Sequence, residues 1–151
     1  MKIPFSAFIL LFICIFSSCS SENKENKDEM EILSVTDSFA TKYYTWRFKD
    51  AARFSDEEFT RFLRFLSSNV NQKDIDVLTK SAETPGFSVD SVEIKEADLA
   101  DVTLKLTNIY QMDSLGKEPQ LTPKTAQKLI LKKNNGKWQV SKIIKVSQAS
   151  H

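Results

Sequence analysis

The chain has 151 residues, with 21 Lys and Arg against 20 Asp and Glu for a formal charge of +1, and it is 41% hydrophobic. This balance implies no strongly basic face and argues against nucleic acid as a partner, whose footprint is a basic stripe. Eleven Phe and only three Gly argue against a low-complexity or disordered chain, and a lone histidine at the last position, His151, argues against a histidine base, a triad or a histidine-rich metal site.

Met1-Lys2, an apolar run from Phe5 to Phe16 and the small pair Ser17-Ser18 have the layout of a secretory signal. The run is shorter than the roughly 20 apolar residues of a spanning helix. Phe16-Ser17-Ser18-Cys19 resembles the acceptor pattern of bacterial lipoproteins, with Phe16 standing where Leu is usual. Residues 1–18 are therefore expected to be a cleaved signal peptide that takes Cys14 with it, and Cys19 is expected to carry the lipid. Each buried methylene of an acyl chain contributes about 0.8 kcal/mol, so several palmitate-type chains hold firmly where one would not. The resemblance implies a partner, the membrane, reached through the lipid anchor. It implies a place in the bacterial cell envelope, at the outer membrane, on its periplasmic or its surface face.

Ser20 to Glu29 contains no apolar residue, so residues 19–29 are expected to be a lipidated, solvated tether. Its acidic residues resemble in part the export signals that carry some lipoproteins to the cell surface, interrupted here by Asn23 and Lys24.

The folded part is expected over residues 30–147, with 148–151 as a tail. Ile32, Val35, Phe39, Tyr43 and Trp46 recur at three- and four-residue spacing, flanked by Leu33, Ala40 and Tyr44, and predict a helix with a wide apolar face. Ser55-Asp56-Glu57-Glu58 predicts a capping box, Ser55 at the cap, ahead of a stripe of Phe59, Phe62, Leu63 and Leu66. Asn71 is expected to cap a short third helix carrying Ile75 and Leu78, and Pro85-Gly86 ends the helical half.

Beyond Gly86 the period becomes two. Phe87 and Val89, then Val92 and Ile94, change parity at Asp90-Ser91, which predicts a bulge. Ala100, Val102, Leu104 and Leu106 alternate with polar residues, the mark of an antiparallel strand with one wet face. A looser stretch, Gln111 to Pro123, leads to a strand through Leu129 and Leu131. Asn134-Asn135-Gly136 predicts a tight hairpin turn, and the last strand is expected to place Trp138, Val140, Ile144 and Val146 on one face.

Helices first and an antiparallel sheet second give an α+β domain, N-terminal helices packed on a curled sheet of about four strands. This order, with the closing run Asn134-Asn135-Gly136-Lys137-Trp138-Gln139-Val140, resembles the nuclear transport factor 2-like, or cystatin-like, cone fold, and is closest to its lipoprotein-borne members of unknown function. The resemblance covers about residues 30–147 and implies a fold rather than an activity. Enzymes of that fold, such as ketosteroid isomerases, use a pocket carboxylate as general base and a polarising hydroxyl or acid opposite it. No such pair aligns onto this chain.

No catalytic, metal or cofactor-binding residue is assigned. If the first helix continues past Trp46, the 3.6-residue period brings Arg47 and Asp50 onto the face of Phe39 and Tyr43, where with Trp46 and Tyr110 they would floor a cone-shaped pocket. If it bends or ends near Arg47, both charges reach water. The expectation is a non-enzymatic, membrane-tethered module that binds an unknown small ligand in the cone or an envelope protein on the open sheet. The alternative is a small cone-fold enzyme using a pocket carboxylate as general acid or base.

Overall fold

A computed structural model describes residues 20–112, 114 and 116–146. The expected signal peptide, Cys19 and the tail 148–151 lie outside them.

The first helix, α1, is Ser20–Tyr43. Its inward face repeats every four residues, burying Asp28, Ile32, Thr36 and Ala40, with Phe39 beside them and Tyr44 continuing the row in the turn just past the helix, while Leu33 faces outward. The stretch expected as a tether from Ser20 to Glu29 is thus the first part of α1, and the folded unit reaches back to Asp28. Asp28 accepts hydrogen bonds from Lys133 Nζ (2.5 Å) and Trp138 Nε1 (3.2 Å). Glu31 accepts the Trp138 backbone N–H at 3.1 Å. Helix propagation is inexpensive once a packed segment exists, and Glu and Lys are good helix formers, so a turn without apolar residues can extend from that anchor.

The helix does not continue past Trp46. Arg47 N–H reaches back to the Lys42 carbonyl at 2.8 Å and Trp46 N–H to the Tyr43 carbonyl at 3.0 Å, the paired bonds of a Schellman stop. Its left-handed residue is Trp46, at φ 61°, where glycine is usual. An L-residue there costs roughly 1–2 kcal/mol. Burial of the indole, which is 8% exposed, offsets that cost.

A short helix, α2 (Phe48–Ala51), and a 3-10 turn, Ala52–Phe54, turn the chain into α3 (Glu57–Asn69). The cap of α3 is Asp56, whose side chain accepts Phe59 N–H at 2.8 Å, not Ser55. Ser55 is drawn instead into a bridge with Val140, with Asp56 N–H on the Val140 carbonyl and the Ser55 hydroxyl on the Ala51 carbonyl. Helix α4 (Gln72–Lys80) has the expected cap, a reciprocal box between Asn71 and Asp74.

Strands β1 (Gly86–Glu96), β2 (Leu99–Gln111), β3 (Gln120–Asn134) and β4 (Lys137–Lys145) form one curled antiparallel sheet in chain order. The register shifts between Val89 and Ser91, as the parity change predicted. Strand β3 begins at Gln120, earlier than expected. Pro123 falls where, among the described residues, β3 has only β2 for a neighbour, so its missing N–H is tolerated. The β3–β4 turn has Asn135 at φ 50° and Gly136 at φ 77°, the two positive values of a type I′ hairpin. Within β4 the expected face does not persist. Leu131 pairs with Val140 but Ile130 pairs with Lys142, so one residue bulges and parity flips. Trp138 and Val140 face the core and Ile143 packs against it, while Ile144 and Val146 point outward.

Helix α1 packs against both edge strands, β1 and β4, so the sheet wraps it. Phe39, Leu104, Leu106, Leu129, Leu131 and Trp138 are almost fully buried between the layers. Each contributes about 1.5–3 kcal/mol by leaving water.

Candidate functional site

The stop at Trp46 shapes the open end of the cone. Trp46 turns its indole toward the sheet, donating Nε1–H to the Tyr110 carbonyl at 3.2 Å, and lies 5.8 Å from the Phe48 ring. Tyr43 and Tyr44 meet edge to face at 5.1 Å. On the opposite wall, Phe62 stacks on Phe59 at 5.8 Å and 13°. Phe62 and Phe65 remain 48% and 51% exposed, and α3 adds Leu66 and Asn69 to this wall. The sheet supplies Ile109, Tyr110, Gln127 and Lys145, and Met112 and Ser114 border it from the following loop. Together these side chains enclose a cavity of about 340 Å³. That lies at the small end of the roughly 300–1,000 Å³ usual for small-molecule sites.

Of the residues expected to form a pocket, Tyr43, Trp46 and Tyr110 line this cavity, and Arg47 and Asp50 do not. Because the helix has already ended, the Arg47 guanidinium and the Asp50 carboxylate pair at 2.6 Å on the surface, with side chains 57% and 34% exposed. The hydrogen bond from Arg47 holds the Asp50 carboxyl below the usual carboxylate range. Four cavity residues that sequence patterning missed matter most. Phe62 was legible only as part of a buried stripe, and Phe65 had no signal. Gln127 and Lys145 become neighbours only through the β3–β4 register, in which they are direct partners.

The cavity is apolar with a few polar groups. The Tyr44 hydroxyl donates to Gln127 Oε1 at 2.9 Å. Burial pushes the Tyr43 hydroxyl up to about 12 and the Tyr44 hydroxyl higher still, with Tyr43 beside it adding to the rise. Both are therefore neutral at ordinary pH. Among the described lining residues there is no Asp, Glu or His, and Lys145 is the single charge. Among the described residues, no three His, Cys, Asp or Glu side chains are placed together to hold a metal ion, and no helix is long and apolar enough to cross a membrane.

The fold of this chain is similar to that in the crystal structure of an NTF-2-like protein of unknown function from Shewanella oneidensis MR-1. That protein superposes with a TM-score of 0.51 over 76% of this chain and 99% of its own, at 11% sequence identity. The fold is NTF-2-like. At so low an identity the likeness is one of fold. No family model and no curated protein matches the sequence. Within this NTF-2-like domain the closing Gly136-Lys137-Trp138-Gln139-Val140 run has a structural role. The hairpin delivers Trp138 to Asp28 and Glu31 at the opposite end of α1 from the cavity.

Proposed function

We propose that this chain is a membrane-tethered lipoprotein of the cell envelope whose NTF-2-like domain binds a small apolar ligand without chemical turnover. The observation that carries the binding half is the aromatic cavity of about 340 Å³, whose described lining offers donors and apolar surface but no carboxylate to act as a general base. The tether rests on the Phe16-Ser17-Ser18-Cys19 pattern. In this reading α1 separates the two functions, with the lipidated residue before its first turn and the cavity at its last.

Thermal melts of wild type and Phe65→Glu with a panel of apolar metabolites test the binding. Phe65 is half-exposed, so the substitution spares the core while placing a charge at the cavity mouth. A ligand at about 100 times its Kd adds roughly 2.7 kcal/mol to wild-type stability. The variant should lose that gain. An equal gain in both proteins, or turnover abolished by changing a single inward carboxylate, would overturn the reading. Cys19→Ser should abolish fatty-acid labelling in cells, and equal labelling of mutant and wild type would end the lipoprotein half.

A further inference from the structure

We infer that the cavity takes a small apolar carboxylate, its hydrocarbon part among the aromatic rings and its carboxylate at the Gln127–Lys145 pair. The inference rests on the ligand-binding reading above and adds the chemistry of the ligand. Three observations carry it. Gln127 and Lys145 are direct cross-strand partners, which sets their Cβ atoms about 4.5–5.5 Å apart, and both border the cavity. They form one polar pole in a lining that is otherwise largely apolar.

Gln127 is only 6% exposed, and its oxygen is engaged by the Tyr44 hydroxyl, yet its amide N–H₂ has no hydrogen-bond partner among the described residues. That amide is not sealed in the core, since the one buried side-chain polar atom without a partner among the described residues is Thr36 Oγ1; its donors open on the cavity that Gln127 lines, where a ligand oxygen can accept from them. Lys145 has no ion-pair partner among the described residues, and no described lining residue carries negative charge. An acceptor-only group meets all of these donors. A carboxylate has four lone-pair sites and accepts from both the ammonium and the amide. An ammonium head group would instead face Lys145.

The size follows from the volume. At about 30 Å³ of liquid volume per non-hydrogen atom, taken from water, the cavity holds on the order of ten such atoms. Octanoate and 3-phenylpropionate are compact probes of this size, one aliphatic and one aromatic.

The test titrates the full chain in detergent-free buffer with octanoate, 3-phenylpropionate, octanol and octylammonium, followed by tryptophan fluorescence. The expected result is at least fivefold tighter binding of one or both carboxylates than of octanol, and weaker binding still of octylammonium. Lys145→Gln and Gln127→Leu should each reduce the preference for carboxylate over octanol. Which carboxylate binds better distinguishes an acyl from an aromatic ligand. Equal binding of octanol and both carboxylates by wild type would overturn this inference and leave the apolar-ligand reading standing. A preference retained in both variants would overturn it too, since the carboxylate would then lie elsewhere. Binding of none of the four would overturn both the inference and the reading beneath it.

Discussion

Removing the Asp28 carboxylate should destabilise the domain more than removing any other acid between Ser20 and Glu29, because Asp28 holds α1 to the closing hairpin. Its Oδ1 accepts from Lys133 Nζ and from the indole of Trp138, which is 2% exposed. In Asp28→Ala the indole N–H loses its partner, a cost of about 1–3 kcal/mol. Breaking a fully buried ion pair costs about 3–5 kcal/mol. The Lys133 side chain is 19% exposed and can turn partly to water, so the two effects together come to about 3 kcal/mol rather than their full sum. For a domain of this size that lowers the melting temperature by on the order of 10 °C. Asp28→Asn keeps an acceptor for the indole and should lose less.

Urea unfolding followed by circular dichroism at pH 7 reads the loss as a lower midpoint at unchanged slope. The hydrogen bond from Lys133, opposed by burial and aided by the indole, holds the Asp28 carboxyl below its ordinary value of 3.8. A carboxyl depressed by folding adds stability that is complete above its unfolded value and is lost as pH falls through the folded one. The gap between wild type and Asp28→Asn should therefore be full at pH 7 and should narrow below about pH 3.8. If Asp28→Ala shifts stability by less than about 0.5 kcal/mol, as a substitution in a solvated tether would, the anchor and the N-terminal extent of the fold argued from it are wrong.

Gly136→Val should cost roughly 1–3 kcal/mol, because the φ of 77° at Gly136 excludes a β-branched side chain, and an unchanged melting temperature would show that the turn is not type I′. Arg47→Ala should leave both the urea midpoint and ligand-induced stabilisation unchanged within error, since the pair with Asp50 lies on the surface outside the cavity. A variant that lost ligand-induced stabilisation would return those charges to the pocket.

Much of this fold is written in local chemistry. Asn134-Asn135-Gly136 sets its turn through residues that tolerate positive φ, Asn71 and Asp74 satisfy each other's backbone three residues apart, and the alternation from Ala100 to Leu106 needs only a two-faced strand. What was not legible depends on tertiary context. Nothing in the sequence around Trp46 marks a helix stop, because the left-handed position is occupied by a tryptophan whose compensation is packing and a bond to the distant Tyr110 carbonyl. The apolar period therefore runs on past the true end, and it misplaces Arg47 and Asp50. Likewise the β4 bulge replaces Ile144 with Ile143 on the inner face, and no local residue announces it. Ser55 has the chemistry of a cap, but its strand-like bridge to Val140 moves the cap to Asp56. Three of the five expected pocket residues line the cavity: Tyr43 follows from helix direction and Tyr110 from strand direction, whereas Trp46 is placed there by the helix stop itself. The polar pole at Gln127 and Lys145 requires a register that only the assembled sheet defines.

The central claim is that an apolar ligand enters the cone at its aromatic end, and the most direct measurement is a ¹H–¹⁵N spectrum of the side-chain N–H groups during octanol titration. The Trp46 indole and the Gln127 amide belong to the cavity, whereas the Trp138 indole lies at the far end of α1 on Asp28. The account predicts saturable shifts of the Trp46 and Gln127 signals with Trp138 unmoved. Saturable binding that shifts Trp138 while leaving Trp46 and Gln127 in place would contradict it.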